Sequence, residues 1–252
     1  MSKIIAVLNQ KGGVGKTTTA INVASYLAKS KIPVLLIDLD PQGNATSGLG
    51  VNKQQVKATS YDVLLGKAKL EQAILSSNHV GLQLLPTNAN LAGAEVELAT
   101  LEHRESRLKT ALQDAVDKVM LIDCPPSLGL LTINALVAAD TVLIPVQAEY
   151  YALEGLGQLM SVIQRVRETL NPKLEILGVV VTMFDGRTGL SEQVAKELRK
   201  YFGQKVFKTV IPRNVRLAEA PSYGKPIAEH DKWSKGARAY KQLTKELITR
   251  LK

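Results

Sequence analysis

Residues 9–20 read NQKGGVGKTTTA, with glycine at positions 12, 13 and 15. Glycines this dense disfavour both helix and strand, so the stretch must be a turn that needs backbone freedom. The six residues before it, KIIAVL (3–8), form a short apolar run of strand type. The fourteen after it, KTTTAINVASYLAK (16–29), place Ile21, Ala24, Tyr26, Leu27 and Ala28 broadly on one side of a helix. A strand, a glycine turn and a helix in immediate succession are the opening of a parallel α/β unit. Such a turn leaves free backbone N–H groups at the positive end of a helix, a natural seat for a polyphosphate.

The loop departs from the strict phosphate-loop spacing G-x-x-x-x-G-K-[ST]. Counting back from Gly15-Lys16-Thr17, glycine is required at position 10, and Gln10 stands there. A second lysine, Lys11, precedes the paired glycines. The chemistry of the loop survives the departure. Gly12, Gly13 and Gly15 allow close backbone approach, Lys16 can reach the β and γ phosphates, and the Thr17 hydroxyl can ligate Mg²⁺. The spacing leaves Lys11 unexplained.

The rest of the chain repeats the alternation. PVLLID (33–38), VMLID (119–123), TVLIPV (141–146) and ILGVVVTMF (176–184) are unbroken apolar runs, as expected of strands buried on both faces. Helical patterns fall near 104–116, 131–139, 152–170 and 190–202. A closing helix follows in SKGARAYKQLTKELITRLK, with Ala239, Leu243, Leu247 and Leu251 facing inward. The order predicts a doubly wound, mainly parallel α/β sheet with helices on both faces. With neither repeats nor a flexible linker, residues 1–252 are expected to form a single domain.

Composition narrows the function. Hydrophobic residues make up 45% and charged residues 22%, and no apolar run approaches the roughly 20 residues of a membrane span. The start lacks the apolar length of a signal peptide, so a cytoplasmic protein is expected. A single cysteine, Cys124, leaves no material for a disulfide or a thiolate cluster. The net charge of +9 is unevenly placed. Residues 1–184 hold 16 Lys+Arg and 16 Asp+Glu, whereas residues 185–252 hold 16 against 7. That excess is either a solvated basic face or a footprint for a polyanion such as nucleic acid.

KGGVGKTT resembles the deviant Walker A motif of the ParA/MinD family of P-loop ATPases. LLIDLDPQGN (35–44) is similar to that family's second acidic motif, and VMLIDCPPS (119–127) to its Walker B strand. PVQAEYYALEGL (145–156) and IPRNVRLAEAPSYGKPI (211–227) extend the likeness over nearly the whole chain, nearest to the chromosomal ParA (Soj) branch.

The resemblance implies an ATP- and Mg²⁺-dependent partitioning ATPase that forms a homodimer on ATP binding. Lys11 then becomes the signature lysine, reaching the partner subunit's nucleotide. The loop residues Gly12, Gly13, Val14, Gly15, Lys16, Thr17 and Thr18 hold the phosphates. Asp123 sits where a Walker B carboxylate would hold Mg²⁺. Spacing alone does not rank Asp38 and Asp40; the resemblance gives Asp40 the attacking water and places Asp38 near the metal shell. TMFD (182–185) has Met183 where guanine readers carry lysine, which favours ATP, and the resemblance puts the adenine at Pro212 and Asn214.

The same likeness places Arg187 and Arg216 on a basic strip that binds double-stranded DNA without sequence preference, helped by Lys196, Lys200, Lys225, Lys235 and Lys241. It implies a ParB-type centromere-binding protein as the partner that stimulates hydrolysis, and a nucleoid-associated location. A membrane-associated MinD-like positioning ATPase is the alternative. The closing helix, however, carries core-spaced Leu and Ile without Phe or Trp, so no membrane contact is expected.

Overall fold

The computed structural model describes residues 3–150 and 154–251. Among them, seven strands form one sheet: β1 (Lys3–Val7), β2 (Val34–Asp38), β3 (Leu75–Ser76), β4 (Leu82–Leu85), β5 (Val119–Asp123), β6 (Thr141–Gln147) and β7 (Glu175–Thr182). Their order is β3-β4-β2-β5-β1-β6-β7, parallel throughout except for the short β3 edge.

Strand side chains alternate between two cores. Ile5, Val7, Leu36 and Leu121 point to one face, and Ala6, Leu35, Ile37 and Ile122 to the other. Burial on both faces is why these strands are continuously apolar. The first face is covered by α1 (Lys16–Lys29), α2 (Asn44–Gly48), α10 (Val215–Glu219), α11 (Ile227–His230) and α12 (Lys235–Arg250). The second is covered by α3 (Ser60–Leu64), α4 (Leu70–Ala73), α5 (Leu91–Ala99), α6 (Arg107–Leu112), α7 (Leu130–Ala138), α8 (Glu154–Thr169) and α9 (Gly189–Phe202).

Several expectations shift in detail. The helix expected over 104–116 is only Arg107–Leu112, bounded by His103 and Asp117 at positive φ of 54° and 59°. The helix expected from 152 begins at Glu154, and residues 152–153 lie outside the described residues. The inner side of α12 is Ala237, Tyr240, Leu243, Thr244 and Leu247, whereas Ala239 and Leu251 are only partly buried. The Tyr240 hydroxyl meets Thr19 Oγ1 of α1 at 3.1 Å, which turns the inner face toward that residue. The strand-type runs 33–38, 119–123, 141–146 and 176–184 appear as β2, β5, β6 and β7, with ends moved by no more than two residues.

The topology fixes where a ligand can sit. From β1 the chain winds toward β2 on one side, and from β5 it crosses β1 to β6 on the other. This reversal opens a crevice over the carboxyl ends of the central strands. The loop of residues 8–15, Asp38, Asp123 and Thr182 all emerge there.

Candidate functional site: a phosphate loop over two buried carboxylates

Gly15 caps α1 in the left-handed region at φ 88°, and Gly13 also has positive φ, 74°. These conformations need glycine and keep the loop close to the start of α1. The loop is braced on three sides. Asn9 Nδ2 donates to Pro145 O at 2.7 Å while its Oδ1 accepts from Lys11 N at 3.0 Å. Thr182 Oγ1 donates to Val14 O at 2.7 Å. Lys16 Nζ donates to Lys11 O at 3.1 Å. A Cβ built at Gly12 or Gly13 meets no atom within 4 Å. Of the two, only Gly12 lacks a positive φ, so only there does a side chain fit without backbone strain. The Gly12 position opens outward, away from the protein's own core.

Parallel register sets Asp38 directly beside Asp123. Both are fully buried, but their surroundings differ. Asp38 Oδ2 accepts from Thr46 N and Thr46 Oγ1, each at 2.7 Å, and Oδ1 accepts from Asp40 N at 3.2 Å. Burial still pushes its pKa up to about 6, against the pull of those hydrogen bonds. Neither oxygen of Asp123 has a hydrogen-bond partner among the described residues. Burial first, then the Asp38 charge, hold its pKa well above the usual carboxylate range; Thr17 and Lys16 stand close enough to oppose this. A buried carboxylate with no partner beyond the nearby Thr17 hydroxyl is what a cation site requires. Lys16 is itself buried, and desolvation lowers its pKa against the opposing pull of Asp123 and Asp40. Asp40 is also buried, and its Oδ1 accepts from Gln42 N at 2.9 Å.

Beside the loop lies a cavity of about 380 Å³. Gly15, Thr18, Thr182, Met183, Pro212, Asn214, Leu217 and Tyr240 line it. Asn214 Oδ1 is buried without a partner, an acceptor suited to an exocyclic amino group. Pro212 and Asn214 therefore stand together at one pocket, held by the bridge between Phe184 and Pro212.

Lys11 lies on the open rim, its Nζ 3.5 Å from Glu149, which also lies 3.7 Å from Arg213. Arg187 and Arg216 do not line that cavity; both are exposed and each stands beside a carboxylate. Lys196, Lys200, Lys225, Lys235 and Lys241 are likewise exposed.

Sequence reasoning missed Asn9, Thr46, Thr182 and Tyr240. Thr182 and Tyr240 lay inside stretches already singled out, but their contacts to the loop and α1 cross more than 150 residues of chain. No spacing rule signals such a pair.

Fold and loop together define a P-loop NTPase. A family profile described as an AAA domain matches residues 2–176. "Chromosome-partitioning ATPase Soj" of Thermus thermophilus is 55% identical, covering 98% of this chain and 96% of that protein. "Chromosome partitioning protein ParA" of Caulobacter vibrioides is 52% identical, covering 98% and 94%. The crystal structure of cobyrinic acid a,c-diamide synthase from Mycobacterium smegmatis with bound ADP and magnesium superposes with a TM-score of 0.88 at 38% identity, covering 100% of this chain and 96% of that one. The chain belongs to the ParA/MinD family of deviant Walker A P-loop ATPases, on its chromosomal ParA (Soj) branch.

Proposed function

We propose that this chain is a chromosome-partitioning ATPase, folded as one domain, whose Mg-ATP-bound form pairs with a second copy and grips DNA through its phosphates. Partitioning ATPase activity follows from the relatives it resembles at 50–55% identity over nearly the full chain.

The observation that carries the pairing is the outward face of the loop. Gly12 opens to empty space while Lys11 stands beside it on the rim. A second subunit can come close there without meeting a side chain. Lys11 then lies across the junction, where two triphosphates concentrate negative charge. A lysine that neutralises charge only when both nucleotides are present makes ATP the clamp. The same lysine stabilises the transition state, as an arginine finger does.

Within one subunit the residues divide the work. The N–H groups of residues 12–18 and the Lys16 ammonium hold the phosphates. Thr17 and Asp123 suit Mg²⁺, which when bound spreads the developing charge on the phosphates. Asp38, held by Thr46, keeps the β2 end in place beside it. Asp40 orients the water that attacks the γ phosphate, giving ADP and phosphate. Asn214 accepts from the adenine amino group in the side cavity. Hydrolysis removes the clamp, the pair separates, and DNA is released. A ParB-type partner speeds this step, and the protein works in the cytoplasm on the nucleoid.

A salt-titrated DNA-binding assay with ATP, ADP and no nucleotide tests the reading. Binding should require ATP, show no sequence preference, and fall steeply with salt. Equal binding by the nucleotide-free monomer would overturn it.

One observation favours a membrane surface as a second reading. The single tryptophan, Trp233, is 78% exposed between Lys232 and Lys235, just ahead of α12. Trp233→Ala should then abolish co-sedimentation with anionic vesicles; no sedimentation by the parent protein disposes of it. Among the described residues, no helix is long and apolar enough to cross a membrane.

A further inference from the structure

The two arginines expected to hold DNA are already occupied. Arg187 donates from Nε to Asp185 Oδ1 at 2.9 Å and from an η nitrogen to Oδ2 at 2.7 Å. Its backbone N donates to the same Oδ1 at 3.1 Å. The Arg187 side chain is 89% exposed, so Asp185 is what sets its direction. Arg216 donates from an η nitrogen to Glu219 Oε2 at 2.9 Å, and its Nε lies 3.6 Å from Asp231 Oδ2. By contrast, among the described residues, Lys196, Lys200, Lys225, Lys235 and Lys241 take part in no salt bridge.

We propose that Asp185 and Glu219 are internal counterions: they cover the guanidinium groups of Arg187 and Arg216 in the single subunit and so keep it off DNA. The proposal rests on the reading that these arginines contact phosphates. A guanidinium binds a phosphate through paired N–H groups, the arrangement Arg187 already makes with Asp185. The phosphate must displace the carboxylate or approach a charge that is locally cancelled. Arg187 with Asp185 sums to zero, and Arg216 with Glu219 and Asp231 sums to a negative charge. An arginine already neutralised by a carboxylate also holds less counterion to release, which removes part of the entropic drive for binding.

The consequence is a sharper dependence on pairing. Each contact is weak, and contacts multiply in their effect on affinity. One subunit offers two covered arginines, a pair offers four on one duplex, and only the pair overcomes the counterions. Exposed ion pairs of this kind shift binding by roughly two- to five-fold each.

The experiment uses the full chain and a short mixed-sequence duplex, measured with and without ATP across a range of KCl. Asp185→Asn/Glu219→Gln should bind about ten-fold more tightly without nucleotide, and the slope of log K against log salt should steepen by about one to two. Glu71→Gln/Asp114→Asn makes the same change in net charge from the cleft beside β3, at the opposite edge of the sheet. It should shift affinity far less and leave the slope unchanged. Thermal melting of both double variants confirms that they fold. Two results overturn the proposal: a gain no larger than the control's with an unchanged slope, or weaker binding, which would mean the carboxylates aim the arginines rather than cover them. Arg187→Ala and Arg216→Ala separate the two levels. If these leave binding unchanged, the DNA reading itself fails. If they lose DNA while the neutralised variant gains nothing, only the counterions are wrong.

Discussion

Gly12 and Asp40 carry the sharpest consequences of single side chains. Gly12 has space on its outer side, so valine there fits the isolated subunit. Gly12→Val should keep its melting temperature and its ATP affinity but lose ATP-dependent pairing, read by light scattering. A valine variant that still pairs removes the close-approach argument. Asp40→Ala should bind ATP and pair yet hydrolyse on the order of 100-fold more slowly, since only the water loses its guide. A monomer in ATP would assign Asp40 to binding instead. The residue scale is also where the sequence was most legible. Lys16 and Thr17 are placed by the local strand-loop-helix geometry, and the parallel pairing of β1 with β5 brings Asp123 beside them. The difference between Asp38 and Asp123 was not legible. It arises from Thr46, eight residues beyond Asp38, which satisfies one carboxylate and leaves its neighbour bare.

Helix α12 illustrates the element scale. Its amphipathic pattern announced a packed helix with Leu243 and Leu247 inward, but the rest of that face is Ala237, Tyr240 and Thr244 rather than Ala239 and Leu251. Ala237, Tyr240, Leu243 and Leu247 point inward onto α1, and Tyr240 also reaches the cavity beside the loop. Leu243 is fully buried, so Leu243→Ala should cost about 2–5 kcal/mol in a denaturant titration. Because α12 supports the α1 that starts at the phosphate loop, the same variant should weaken ATP binding measurably. Unchanged stability would show that α12 is not seated as described. The short elements β3, β4 and α2 to α5 escaped the sequence reading, since two to nine residues give too little periodicity to tell strand, helix and turn apart.

At the scale of the whole molecule, the sheet places two carboxylates side by side in its interior. Burial raises the folded-state pKa of Asp38 to about 6 and lifts Asp123 as well. A raised pKa means that the folded form keeps its proton more tightly than the unfolded chain, whose aspartates titrate near about 3.9. The contribution to stability is therefore full below that unfolded value and is lost as pH rises through about 6 for Asp38. The nucleotide-free protein should melt at falling temperatures from pH 5 to 7, and Mg-ATP affinity should rise over the same interval as protons leave the pair. Asp38→Asn should flatten the first trend. A melting profile that is level in the parent protein would mean the pair is not protonated there.

The loop, the strand-end aspartates and the alternation of apolar runs with helices determined by themselves that this chain is a parallel α/β phosphate-binding protein. Those features depend on contacts within a few residues, and local spacing encodes them. Which aspartate keeps its oxygens free, which face of α12 turns inward, and which carboxylates cover Arg187 and Arg216 were decided only by the folded structure. The face of α12 depends on which distant segment the sheet brings against it. The Thr46–Asp38, Asp185–Arg187 and Arg216–Glu219 contacts are short-range, but they depend on turn and side-chain geometry that spacing alone does not record.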